Sequence, residues 1–468
     1  MSKVQAWVVD RFALQPIYDR LLDRRVPKAH WYVGDGTTLL TLLGLQVLTG
    51  AVLALTYSPS TDGAYQSVSY ISETQFLGWF IRGLHYWSAG LMVVVLFYHL
   101  FRQILIGGYK APREGTWIIG VLMFFGVLLL AYTGYLLRWD ERAVHGVRVM
   151  IHMLTRVPLI GTSLAVFVQG GDDIGPQTLT RLYATHVLII PLKLFLLTGL
   201  HLYLIVQRGT VTHTEKKQGA ATAEEQKAIY KEEVASELGE SFFPFTMFKT
   251  GLMAGGVVAI ILATTLFRGP PPLMPEGNLD QVSMPAEEWW FWWLSGLIAL
   301  LPPAVAPWFI VLLPIAAFVV LMAFPFVDRG PYRGIRRRPI ILVVVTLIVL
   351  SMLALSDYRR RSDFTGWPKP EPPEVTRVTL SPEAEHGRQL FATYGCNSCH
   401  AVGGQGRKFA VDFAEMPAVR SRDHIRKYIL QPPTGIAMPA YDGRLTEEEL
   451  EGLTAFCHVA QTFRRRPN

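Results

Sequence analysis

Long windows of Leu, Val, Ile and Phe recur along this chain, each reaching the ~20 residues needed to cross a ~30 Å hydrocarbon layer. Nothing else in the sequence narrows the possible folds as much. In lipid every backbone N–H and C=O must be satisfied from within, so such segments become helices. Seven are expected, at 34–57, 77–106, 116–137, 184–206, 250–266, 304–326 and 340–355, called spans A to G below. The fold class is therefore all-α, and a chain that is 50% hydrophobic and only 17% charged is an integral membrane protein.

The loops orient the spans. The N-terminal segment carries Lys3, Arg11, Arg20, Arg24, Arg25 and Lys28, the B–C loop Lys110 and Arg113, and the F–G loop Arg329, Arg333 and Arg336 to Arg338. The A–B loop has Asp62 and Glu73 with neither Lys nor Arg. Positive loops stay inside, so the N-terminus is expected in the cytoplasm of a cell whose inner (cytoplasmic) membrane holds the chain, and an odd number of spans puts the C-terminus outside. Arg359 to Arg361, just after span G, run against this pattern. The net charge of +7 is thus a feature of membrane topology, not a nucleic-acid surface. Residues 1–28 lack the uninterrupted apolar core of a cleavable signal and are expected as an amphipathic surface helix.

Two joints divide the chain: a polar, helix-prone stretch and the proline-rich Gly366-Trp-Pro-Lys-Pro-Glu-Pro-Pro-Glu, an extended and semi-stiff spacer. The expected domains are 1–211 (four spans), 212–240 (cytoplasmic linker), 241–358 (three spans), 359–378 (linker) and a soluble tail at 379–468.

Four histidines sit in otherwise apolar helices, His85 and His99 on span B, His186 and His201 on span D. Fourteen residues is close to four helical turns, so the B pair shares a face about 21 Å apart along the axis. The fifteen-residue step on D leaves its pair only slightly rotated. B and D run parallel, which offers two bis-histidine cages: His85 with His186 towards the outside, His99 with His201 towards the inside. Glycines keep the same interval, Gly36 and Gly50 on span A, Gly120 and Gly134 on span C. A flat macrocycle inside a helix bundle needs close backbone approach, which a Cβ would obstruct. Gly50 and Gly134 fall at the outer cage, Gly36 and Gly120 at the inner one.

Ile81-Arg-Gly-Leu-His-Tyr-Trp-Ser-Ala, His99-Leu-Phe-Arg, Thr133-Gly-Tyr-Leu-Leu-Arg-Trp-Asp and Thr178-Leu-Thr-Arg-Leu-Tyr-Ala-Thr-His resemble the cytochrome b family of bc complexes over nearly all of spans A to G. The fifteen-residue step and the joint after span D are similar to the photosynthetic type, whose four-helix and three-helix parts are separate polypeptides. The resemblance implies two non-covalent haem b groups, with Arg82 and Arg102 as candidate propionate partners; snorkelling at a helix end is the alternative for both. It also implies quinone as substrate, transfer of electrons across the membrane through the haems (a Q-cycle), a Rieske iron-sulfur protein as partner, an acceptor such as a cytochrome c, and a homodimeric complex. Two departures stand out. The photosynthetic type has a haem-anchoring cysteine near the start of span A, where this chain reads Trp31-Tyr-Val-Gly-Asp-Gly, and the family's Leu-Pro-Trp-Asp is here Leu137-Arg-Trp-Asp. The family's Pro-Glu-Trp-Tyr aligns with Glu287-Glu-Trp-Trp, which makes Glu288 the proton acceptor of quinol oxidation, with Glu287 able to share or replace it. The bland role for Glu288 is an interfacial acid beside a tryptophan belt.

The tail holds Cys396-Asn-Ser-Cys399-His400, a pattern that attaches one haem c through two thioethers while His400 supplies an axial ligand. Helices are expected at 385–394 and 446–463, as in monohaem cytochromes c, and that likeness makes Met438 the sixth ligand, with Met416 as the alternative. A zinc site would need a second ligand pair, for which Cys457-His458 offers little; Cys457 reads as a small buried hydrophobe. Lys193, between the two histidines of span D, has no evident partner. Two other classes of function share the four histidines: a membrane anchor passing electrons between quinone and a dehydrogenase, and a haem-bearing conduit or sensor.

Overall fold

The computed structural model describes residues 3–16, 19, 22–28, 33–155, 157, 159–211, 223–277, 279, 287–301, 305–330, 332, 333, 335–361, 373–375, 379–398, 400–406, 411–416, 418–432, 438 and 441–463. Among these are seven helices long and apolar enough to cross a membrane: Asp35–Ala54 (span A), Gly78–Leu105 (B), Glu114–Leu136 (C), Pro176–Arg208 (D), Phe242–Arg268 (E), Ala306–Val327 (F) and Pro339–Arg361 (G). The proline-rich spacer and the first part of the 212–240 joint lie largely outside the described residues.

The spans thread up and down. The start of A meets the end of B through Asp35 and Arg102, and the start of C meets the end of D, where Arg113 donates to the Gly209 and Thr210 carbonyls. Leu42, Leu84, Met92, Leu96, Phe124, Val127, Leu194 and Ile261 form one buried core shared by spans A to E. Outward faces stay apolar, as with Leu192, Leu196, Val319 and Leu347, which suits a bundle solvated by lipid.

Span D is not uniform. Residues Thr185–Ile189 form a single π turn between two α-helical stretches, and Ile190 N–H bonds to the Thr185 carbonyl five residues back. Pro191 follows at once; it has no N–H to give to residue 187 and its ring crowds that carbonyl. The wider turn accommodates one extra residue. Fifteen residues from His186 to His201 thus span nearly the same phase as fourteen on span B, and the slight rotation expected from spacing alone is absorbed.

One end of the bundle carries short helices in the loops: Ala64–Glu73, Glu141–Thr155, Gly161–Gln169 and Trp292–Ala299. The sequence patterns did not single these out. Trp292–Ala299 lies flush on span G, since a Cβ on Gly296 would collide with the Leu355 carbonyl. At the opposite end the expected surface helix over 1–28 is shorter, Lys3–Arg11. The chain then turns into a strand, Arg25–Pro27, that pairs antiparallel with Gly239–Ser241. Arg25 and Pro27 leave the helical pattern because this strand ties the N-terminus to the stretch before span E, helped by Arg25 Nε donating to the Val234 carbonyl at 2.7 Å. The polar joint itself contains the helix Ala223–Ala235.

At that same end a charged cluster joins the four-span and three-span parts. Lys110 Nζ reaches Asp328 Oδ1 at 2.7 Å and Arg338 reaches Asp328 Oδ2 at 3.1 Å, while the Tyr109 hydroxyl donates to Asp328 and receives from Arg338. Replacing Arg338 with Ala should take one donor from the buried Tyr109 hydroxyl and one from the half-buried Asp328, which keeps Lys110, at a cost of about 1–3 kcal/mol. The thermal unfolding midpoint of the detergent-solubilised protein should fall, while Arg336→Ala, at an exposed position, should leave it in place.

Candidate functional site

His85 and His186 face each other between spans B and D, ring centroids 6.4 Å apart and planes crossed at 72°. Two imidazoles sharing one metal through bonds of about 2 Å would place their centroids roughly 6 Å apart. Their tautomers are fixed from behind. Thr49 Oγ1 donates to the Leu45 carbonyl at 2.7 Å, so at 2.9 Å from His85 Nδ1 it can only accept. Thr133 Oγ1 likewise donates to the Leu129 carbonyl at 2.8 Å and sits 3.1 Å from His186 Nδ1. Each hydroxyl has one proton, already used, so both Nδ1 atoms carry hydrogen and both Nε2 lone pairs are left for a ligand.

The second pair is built differently. His99 Nδ1 lies 2.5 Å from Asp35 Oδ2. Asp35 is fully buried and also accepts from Arg102 Nε at 3.0 Å and pairs through Oδ1 with Arg102 at 3.0 Å. His201 has the Thr116 backbone behind it, without meeting hydrogen-bond geometry at its buried Nδ1. Three of the four glycines stand against a cage histidine. A Cβ on Gly50 would stand 3.2 Å from His85 Cε1, on Gly134 2.7 Å from His186 Cε1, and on Gly120 3.4 Å from His201 Cε1. Three of them make room for the imidazole itself; at Gly36 a Cβ would meet nothing within 4 Å.

The two arginines diverge. Arg82 donates to the Pro271 carbonyl at 2.5 Å and keeps a buried Nε without a hydrogen-bond partner among the described residues, a donor suited to an acidic group such as a propionate. Arg102 turns its Nε and one terminal nitrogen to Asp35. Near the start of span A a side chain at residue 34 would collide with the Thr250 carbonyl, so no cysteine fits at Gly34. Lys193 is exposed on the outward side of span D.

At the His85–His186 end lies Glu288, buried to 1% exposure. Tyr86, next to His85, donates its hydroxyl to Glu288 Oε2 at 2.6 Å. Arg138 and Arg142 pair with Oε1 at 2.8 and 3.0 Å. Burial by itself would push this carboxyl up; the two arginines and the tyrosine hydroxyl reverse that and hold it below the ordinary value. The altered Leu137-Arg-Trp-Asp motif thus supplies Glu288 with a counter-charge. Asp140 of the same motif is fully buried and caps the Ala143 N–H at 2.9 Å, and Trp139 takes a positive φ of 53° to make the turn. Glu287 points elsewhere: it holds Arg359 at 3.1 Å. That pair, with Arg360 and Arg361 on Asp357, explains the cations after span G that ran against the loop pattern.

In the tail, helices Pro382–Thr393 and Glu447–Ala460 cross where a Cβ on Gly387 would collide with the Gly452 carbonyl, and a third helix, Arg422–Leu430, packs on the second. Cys399 lies outside the described residues. His400 Nδ1 donates to the Val411 carbonyl at 3.1 Å, so its Nε2 is the free donor, and burial keeps its pKa low. Met438 packs on the core that contains Phe391, Leu453 and Phe456. Cys457 is buried in that core, where desolvation pushes its thiol up, as suits a small hydrophobe.

Residues 22–209 match the family model Cytochrome b/b6/petB, and 382–456 match that of Cytochrome C oxidase, cbb3-type, subunit III. The menaquinol:cytochrome c reductase cytochrome b subunit of Bacillus subtilis is 37% identical over 219 residues, 45% of this chain and 97% of that one. The cytochrome b of Allochromatium vinosum is 30% identical over 365 residues, 75% and 86% of the two chains, and the cytochrome b6 of a Synechocystis species 35% over 210 residues, 44% and 94%. A solved structure described as a hyperthermophilic respiratory Complex III shares the fold, with a TM-score of 0.63 at 24% identity over 83% of this chain and 95% of that one. The fold and its paired histidines define a haem-binding transmembrane electron-transfer bundle, and the chain belongs to the cytochrome b/b6 family, with a cytochrome c domain at its C-terminus. Membership implies b haems in the membrane part and haem c in the tail. The imidazole spacing, the fixed tautomers and the orphaned Arg82 donor fit the first group; His400 fits the second.

Gly134 offers a direct test, because Ala there would press on the ring of His186. Gly134→Ala should lower haem b relative to haem c by up to half in the pyridine haemochrome spectrum, whereas Gly36→Ala should not.

Proposed function

We propose that this chain is the quinol-oxidising cytochrome b subunit of a bc-type quinol:cytochrome c oxidoreductase, with haem c fused on the high-potential branch. The observation that carries this reading is Glu288, a buried carboxylate hydrogen-bonded to Tyr86 at the residue after His85. Cages at His85 with His186 and at His99 with His201 would hold two b haems, which when bound provide one-electron carriers on the two sides of the membrane. Cys396, Cys399 and His400, with Met438, would hold the haem c. The loop charges support an orientation with the N-terminus in the cytoplasm and Glu288 and the tail outside. The domain divisions at 211/212, 240/241, 358/359 and 378/379 follow the same plan, and a homodimer fits the family.

Quinol oxidation gives quinone, two protons and two electrons. Glu288 accepts a proton in this reading: Arg138 and Arg142 keep it ionised through Oε1, and the Tyr86 hydroxyl, which donates to Oε2, orients the carboxylate. Glu287, occupied by Arg359, holds span G rather than substrate. The chain has three cysteines, two of them in the haem-attachment motif, so a Rieske cluster would come from another subunit; that subunit would take one electron on its way to a cytochrome c-type acceptor, the b haems would take the other, and the proton not taken by Glu288 would leave to water.

Glu288→Gln in the purified complex should leave haem spectra intact and reduce quinol turnover by about 10²-fold, the usual cost of losing a general base. Intact haems with unchanged turnover would remove the carboxylate mechanism. Arg138→Gln should keep activity at neutral pH but move the acid limb of the profile to higher pH. The sign follows from the chemistry: Glu288 works ionised, activity falls as pH drops through its pKa, and removing a cation raises that pKa.

A further inference from the structure

Three of the four cage histidines are backed by neutral groups, the hydroxyls of Thr49 and Thr133 and the Thr116 backbone. His99 alone has a carboxylate behind it. Asp35 is 0% exposed and 2.5 Å from His99 Nδ1, and among the described residues the cation paired with it is Arg102. A carboxylate at this distance draws the Nδ1 proton towards itself and makes the ring more like imidazolate, which strengthens Nε2 as a donor to a metal. The position is specific. Asp35 precedes Gly36, the glycine assigned to this cage, and a neighbouring side chain at 34 is excluded by span E.

The geometry points to Asp35 as a positioning residue that makes His99 the strongest axial donor of the four and lowers the reduction potential of the haem in its cage, with Arg102 limiting the effect. It rests on the assignment of His99 and His201 as haem ligands. A stronger donor favours the ferric state, so this hydrogen bond sets the potential of the haem in the His99 cage apart from the effect of its depth in the membrane. Arg102 shares the Asp35 charge through two of its three guanidinium nitrogens.

The purified complex would be titrated potentiometrically in the b absorbance, and its oxidised form examined by near-infrared magnetic circular dichroism, whose charge-transfer band follows the donor strength of axial imidazoles. In wild type one b haem should show this band at the higher energy expected for imidazolate character. Asp35→Asn should remove that difference and move one b component to higher potential while the other stays; Arg102→Gln should move the same component to lower potential. Identical bands for two b haems in wild type would overturn the role of Asp35 even if the variants fail to assemble, and so would a shifted potential with an unshifted band. Fewer than two b haems per chain in wild type would instead overturn the cage assignment beneath it.

Discussion

The hydrogen bonds behind the imidazoles govern the rest of the membrane part. An imidazole in a helix bundle could rotate, flip or change tautomer, and a lone pair aimed at the wrong neighbour is of no use to a metal. Thr49 and Thr133 remove that freedom because each hydroxyl has already given its proton to its own helix, so the ring must donate to it. Gly50, Gly120 and Gly134 then let the ring stand upright against the opposing backbone. Helix phase, small residues and proton inventory thus converge on one result, two donors facing each other across about one metal atom.

The two ends of the bundle use charge differently. At the His99–His201 end the cations are largely structural: Lys110, Arg113 and Arg338 are buried and tie loops together through Asp328 and backbone carbonyls. At the other end Arg138 and Arg142 converge on one carboxylate, and Arg359 on its neighbour. Adjacent glutamates in sequence therefore have separate duties, one beside the cage and one fastening span G. Their separation follows from the turn at Glu288, which is extended before a tight helical turn begins at Trp289.

Much of this was legible in the sequence. Span number, the four histidines and their glycine partners follow from apolar length and a fourteen-residue interval, because in lipid the backbone has few options and periodicity carries over into space. Glu288 was singled out by motif; its side chain meets Tyr86, Arg138 and Arg142, while that of Glu287 meets Arg359. Asp35, Tyr86 and Arg142 were not found. Asp35 had a signal, an acid at the mouth of an apolar span one residue before a register glycine. Arg142 had none, since it meets Glu288 only once the C–D and E–F loops fold against each other. The strand Arg25–Pro27 was missed for a similar reason: three residues pair with a partner more than two hundred positions away, and no local pattern records that.

The π turn at Thr185–Ile189 changes what a length difference means. Because it takes in one residue without turning His201 away from His99, a chain with fourteen residues between such histidines and a chain with fifteen describe the same object in space. An alignment gap inside span D is therefore not a change of architecture, and the site of the gap is movable only within the reach of Pro191. Span B has no such slack. There a single inserted residue would swing His99 by about 100°, away from both its carboxylate and its partner ring. A change of length costs the cages least in the loops, the joints and this one turn, and the haem c tail hangs from one such joint, the proline-rich spacer.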